Sequence, residues 1–206
     1  MSPTPSRSDV RDIDGAPLCP DAERMLDYLR TRSAELGLDG IRERVRAALA
    51  ELDKAVEAVR EADIRRRPFE GKWNIAEVVD HIAQTQIRSA EELRHLFHGR
   101  RPPGPPVYEA LRSASAVWAS WNELVDGLRS SSNELNEVLT LAPGEAEERA
   151  ARVRTILVVS RELPGGGTGP QIFPVDLDWR EYALAQRLHA LDHRTQIKKI
   201  RESLAG

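Results

Sequence analysis

Arg187-Leu-His189-Ala-Leu-Asp-His193-Arg-Thr-Gln-Ile197 places two histidines four residues apart inside an apolar pattern of helical period. At that spacing both imidazoles project from one face, about one turn apart. Tyr182, Ala185, Gln186, Gln196, Ile197 and Ile200 share this broad face, so the pair lies in or beside the apolar stripe. The pattern alone is weak, because a histidine pair at i and i+4 arises by chance in many helices and a core histidine is more often simply hydrogen-bonded. A second stretch, Trp73-Asn-Ile-Ala-Glu-Val-Val-Asp-His81-Ile82, adds a third inward imidazole beside Val78 and Ile82. Three such imidazoles on two helices can make a facial nitrogen site that leaves coordination positions open. His95 and His98, the only others, sit among Arg94, Arg100 and Arg101 and read as exposed.

Outward from these stretches, the chain reads as four main helices at about 41–62, 74–98, 107–139 and 178–204. Ile41, Val45, Ala48, Leu49, Leu52, Val56 and Val59 keep a steady helical period in the first. Asn74 with Glu77, and Asp178 with Glu181, are N-cap residues with an acidic partner three positions on. The third helix is expected to start near Val107, with Leu111, Ala114, Trp118, Trp121, Val125 and Leu128 as its seam. Ile41, Leu49, Val78, Ile82, Trp118, Leu188 and Ile197 are the expected core. Four prolines around Gly104 make residues 100–106 an extended segment able to travel along a helix. Before the last helix, 155–159 and 171–175 flank a glycine-rich turn and read as two short strands. A short helix over 21–36 precedes the bundle as a strap, and residues 1–20, rich in Ser, Pro and Asp, read as a disordered tail. Residues 21–206 read as one domain.

Composition narrows the function. A formal charge of −3 gives no electrostatic case for nucleic acid. Cys19 is the only cysteine, so no intrachain disulfide can form. No signal-peptide core or membrane-length apolar run is visible, and the chain reads as soluble and cytoplasmic. Gly165-Gly-Gly-Thr-Gly169 lacks the lysine and the strand-to-helix context of a phosphate cradle. Trp118 and Trp121 read as core or as the seam of a homodimer.

In these motifs the chain resembles the DinB/YfiT-like metalloenzyme family. The tryptophan, the capped helix and His81 match the family's first signature, and His189, His193, Gln196 and Ile197 its last. The resemblance spans about residues 41 to 203 and implies an all-α four-helix bundle of up-down-down-up topology, into which the extended 100–106 crossover fits. The helical strap and the hairpin before the last helix are additions to it. The resemblance implies His81, His189 and His193 as ligands of a divalent metal. Zinc and nickel lead, and iron and copper suit the same nitrogen donors. It further implies a small-molecule substrate and transfer of a low-molecular-weight thiol, such as bacillithiol or mycothiol, to an electrophile. Hydrolysis by a metal-bound hydroxide is the same site with another ligand. The alternative class is a bundle with a structural or vestigial metal site, acting as a binding or dimerisation module.

Overall fold

The computed structural model describes residues 10–143, 151–163 and 165–205. Its elements in chain order are α1 Pro20–Glu35, α2 Leu38–Glu57, α3 Ile75–Phe97, α4 Ser115–Trp118, α5 Trp121–Thr140, β1 Val153–Glu162, β2 Thr168–Leu177 and α6 Trp179–Ala205. The expected four-helix bundle is made by α2, α3, α5 and α6. α3 packs against α5 and α6, and α2 against α6 and α5, so α2 and α3 sit on a diagonal although they are consecutive.

Direction follows from the side-chain pairs. Arg94 binds Glu134 near the C-terminal ends of α3 and α5, so these neighbours run parallel. Ser89 meets Tyr182 while His81 meets His189, so α3 and α6 run antiparallel. Two parallel neighbours joined in sequence need a connection that returns the length of a helix. α3, at 23 residues, is about 35 Å long; the proline-rich stretch 100–106 covers roughly 22 Å of that at about 3.1 Å per residue, and the irregular residues 107–114 cover the rest.

The core residues Ile41, Leu49, Val78, Ile82 and Ile197 are buried as expected, and Leu188 is half-buried. Several expectations need correction. The third helix does not start near Val107: residues 107–114 are irregular, a single turn forms at α4, and α5 begins only at Trp121. Ser120 and Glu123 cap it reciprocally, a start signal as strong as the Asn74–Glu77 box of α3. Trp118, expected in the core, is 69% exposed, because it lies upstream of the register that this cap sets. The first bundle helix also ends earlier than expected, at Glu57.

β1 and β2 pair antiparallel from Val153↔Leu177 to Glu162↔Thr168. Gly165, Gly166 and Gly167 all adopt positive φ in the connecting turn, which side chains would resist. One sheet face, with Val153, Val159, Phe173, Val175 and Leu177, joins the core. Of the segment read as a tail, residues 1–9 lie outside the described residues, whereas 10–19 lie against β2. There the Gln171 side chain donates to Asp12 and to the Pro17 carbonyl and accepts from the Cys19 amide.

Candidate metal centre

The three histidines converge. Their candidate ligand atoms lie within 4.8 Å of one another. His189 Nε2 stands 3.1 Å from His81 Nε2 and 3.0 Å from His193 Nε2. His81 comes from the second turn of α3, on the face that Val78 and Ile82 hold in the core. His189 and His193 come from the middle of α6, beside Ala190 and Ile197, which are buried.

The outer nitrogens fix the inner ones. His81 Nδ1 is 2.8 Å from the Leu111 carbonyl, which only accepts, so Nδ1 carries the proton and Nε2 presents a lone pair. His193 Nδ1 donates in the same way to Gln196 Oε1 at 2.7 Å. His189 can offer a proton to at most one of the two lone pairs facing it. A cation between the rings satisfies all three. Two donors each about 2.0–2.1 Å from a metal, at roughly 90–110°, stand about 2.8–3.4 Å apart, and both measured separations fall in that interval. The donor set fits a divalent metal.

Electrostatics agree. Burial pulls the His81 pKa below its ordinary value, against the Leu111 hydrogen bond and Asp80, with Arg112 lowering it further. Burial, then His193 and His81, push His189 far down. Burial and His81 bring His193 to about 4, against its bond to Gln196. All three are neutral near pH 7, the state in which imidazole ligates.

A carboxylate that sequence reasoning missed holds this arrangement. Asp80, 2% exposed, accepts from the Ser113 amide at 2.7 Å and from its hydroxyl at 2.6 Å. It clamps the irregular crossover to α3 and so seats the Leu111 carbonyl on His81. Trp73 packs edge-on against His81, with the Arg112 guanidinium over its indole.

The cluster opens into a cavity of about 1150 Å³ between α3, α6, residues 106–111 and β1. Down its floor, residues of the antiparallel helices follow one another: Thr85 and Gln186, then Ser89 bonded to Tyr182, then Glu92. Tyr182 donates to the Glu92 carboxylate and Arg88 binds the other oxygen at 2.7 Å. Burial first, then Glu92, raise the Tyr182 pKa well above its ordinary value and keep it protonated. These residues repeat at the spacing that exposed the histidines, so extending each face by two turns finds them. No described helix is long and apolar enough to cross a membrane.

The sequence profile described as the DinB superfamily matches residues 44–158. Among curated proteins none matches the chain significantly. Among solved structures, the chain is similar to the mycothiol-dependent maleylpyruvate isomerase, with a TM-score of 0.57 and 14% identity over 80% of this chain. It spans only 62% of that protein's length. It is also similar to YfiT from Bacillus subtilis, described as "a probable metal-dependent hydrolase with an unusual four-helix bundle topology". Here the TM-score is 0.53 and the identity 14%, over 79% of this chain and 86% of the other. At such identity the likeness shows the fold.

Proposed function

The chain belongs to the DinB superfamily, and from that premise we propose that it is a divalent-metal-dependent enzyme that transfers a low-molecular-weight thiol to a small electrophile. His81, His189 and His193 are the metal ligands in this reading, with zinc or nickel as the ion. The carrying observation is the convergence of three Nε2 atoms whose Nδ1 partners leave at least two lone pairs facing inward.

When bound, the metal supplies Lewis acidity that lowers the pKa of a thiol or water beside it. The chain's own residues do the rest. Leu111 and Gln196 lock the outer ring nitrogens, so the imidazoles stay neutral and oriented. Arg88, held by Glu92 and reaching the Pro105 carbonyl, places a cation on the cavity wall, where it can face an anionic substrate group. A solved structure of similar fold is named for mycothiol and maleylpyruvate, a low-molecular-weight thiol and an anionic electrophile.

Metal analysis of protein purified without a histidine tag, followed by thiol transfer to monobromobimane, tests the proposal. Near-stoichiometric metal and turnover that both vanish in His193→Ala support it. Metal without thiol transfer, but with hydrolysis of an activated ester, moves the function to the hydrolase that the same ligands allow. Metal with neither activity leaves the structural reading.

A further inference from the structure

The β1–β2 sheet has two strands, so each has one edge without a ladder partner. The direction of the edge amides follows from one hydrogen bond and two prolines. The Ile172 carbonyl accepts from the Ile13 amide at 3.0 Å, so the backbone groups of Ile172 point away from β1. In an antiparallel ladder its partner Val158 must then point away from β2, and with it every second residue: Arg154, Ile156 and Ser160. Pro170 and Pro174 stand opposite Ser160 and Ile156, the positions where a missing N–H leaves the ladder whole. Both observations give the same phase.

The two edges are treated differently. On β2 the outer edge is blunted by those prolines and by the Ile13 contact. On β1 the outward N–H and C=O groups of Arg154, Ile156, Val158 and Ser160 have no backbone partner among the described residues. This edge faces the cavity. Residues 154–160 line it consecutively, whereas a sheet face would present alternate residues, and β2 contributes only Gly169 and Pro170 at the hairpin end. Residues 106–111, also consecutive and without regular structure, line the cavity as well. On its floor, Thr85 Oγ1 and Gln186 Oε1 are buried without a hydrogen-bond partner, and Gln186 is only 8% exposed.

We propose that this trough is a strand-addition site for a short extended peptide or amide-linked ligand. The reason is chemical. From Arg154 to Ser160 the edge runs about 20 Å and repeats an outward donor–acceptor pair roughly every 6.6 Å. A chain of consecutive secondary amides matches that repeat, and side-chain pockets then supply selectivity. One end of such a ligand reaches the floor beside the histidines, where the Thr85 hydroxyl and the Gln186 carbonyl meet its polar terminus. The reacting end rests on the enzymatic reading above; the binding itself does not need the metal.

The test uses the full chain, metal-loaded and metal-free, and a library of capped tetrapeptides, acetyl-Xaa-Xaa-Xaa-Cys-amide. Retained members are identified by mass spectrometry and titrated singly. Bound peptide should slow hydrogen exchange at the Ile156 and Val158 amides. N-methylation at one alternate set of peptide residues should weaken binding about five- to tenfold, the loss expected for one backbone hydrogen bond, and at the intervening set much less. Ile156→Pro keeps the ladder to β2 and should weaken binding by a similar factor, while His193→Ala should keep it. Retention of no peptide, or indifference to N-methylation, overturns the proposal. So does protection of the Ile156 and Val158 amides in the free protein, which would mean that the chain covers its own edge. Loss of binding in His193→Ala also overturns it, because the peptide would then be held by its thiol alone. Peptide binding without thiol turnover leaves this site standing and defeats the enzymatic proposal.

Discussion

The histidine end of the α3–α6 pair and the β1–β2 hairpin enclose the same cavity, yet they are held by different means. His81, His189 and His193 ride on two long helices whose neighbours Val78, Ile82, Ala190 and Ile197 are buried, so many contacts fix each imidazole. The hairpin depends on fewer anchors: Val153, Val159, Phe173, Val175 and Leu177 on one face, and Gln171 as the hub for residues 12–19. Chemistry needs ligands held to a fraction of an ångström, and regular elements supply that. Recognition tolerates a wall that opens locally at lower cost than the whole fold. On the proposed readings, the difference implies that reactivity and selectivity should be separable by mutation.

The largest effect should come from the histidines. In His193→Ala, metal content should fall from about one ion per chain to near zero, with an unchanged far-UV circular dichroism spectrum and a modest fall in Tm, because apolar stripes hold the bundle. Metal content is read by plasma emission and the fold by thermal melts. If the variant unfolds, or wild type unfolds on chelation, the ion is structural and the contrast between the two regions collapses.

Core truncations sharpen the same contrast. Phe173→Ala removes a fully buried ring and should cost about 3–5 kcal/mol within the hairpin. Ile82→Ala empties the bundle core and should cost about 2–5 kcal/mol globally. Hydrogen exchange separates them. Phe173→Ala should speed exchange at β1 and β2 amides while α3 and α6 stay protected, and Ile82→Ala should lower protection everywhere. Uniform loss in both would mean that hairpin and bundle unfold as one unit.

The bundle was legible because its information is local. Helical period gave the apolar stripes, reciprocal caps gave the starts of α3 and α6, and the same period exposed three inward histidines. The start of α5 was misread because Leu111 and Ala114 continue the apolar spacing upstream, while Ser120 with Glu123 sets the true boundary. Asp80 escaped because its role exists only between chain segments 33 residues apart, where it binds Ser113. The register of the hairpin was hidden for the same reason, since Pro170 and Pro174 show their phase only once they stand opposite Ser160 and Ile156. What pairing distant in sequence decides, periodicity does not display.

Asp80 probes how far the histidine end depends on the crossover. Asp80→Ala removes both acceptors of Ser113 and should loosen the Leu111 carbonyl from His81. Metal affinity should fall about tenfold, as for partners that orient a ligand, with a stability loss of about 1–2 kcal/mol. Competition with a chromophoric chelator measures the first and urea unfolding the second. Unchanged affinity with lost stability would make Asp80 a fold residue only.

The smallest effects are opposite in sign for two buried carboxylates, one before the bundle helix α3 and one at the junction of hairpin and α6. Asp63 accepts from Arg60, is opposed by its burial, and accepts from Arg66, which together hold its pKa below the ordinary value. A depressed folded pKa contributes stability above the unfolded value that is lost as pH falls through the folded one. Glu181 is raised, first by burial and then by Asp178, against its bond to the Asp178 amide and the charge of Arg152. A raised folded pKa has the reverse slope: the neutral form is favoured in the fold, and that contribution is lost as pH rises through the folded value. Asp63→Asn should therefore flatten the acid limb of the stability–pH curve, and Glu181→Gln should flatten a decline on the way from acid toward neutral pH. Urea midpoints measured at intervals from about pH 3 to 7 carry the test, a window set by ordinary carboxylate values. If both variants changed the curve in the same direction, the electrostatic contrast between the two regions would be wrong, even with the fold intact.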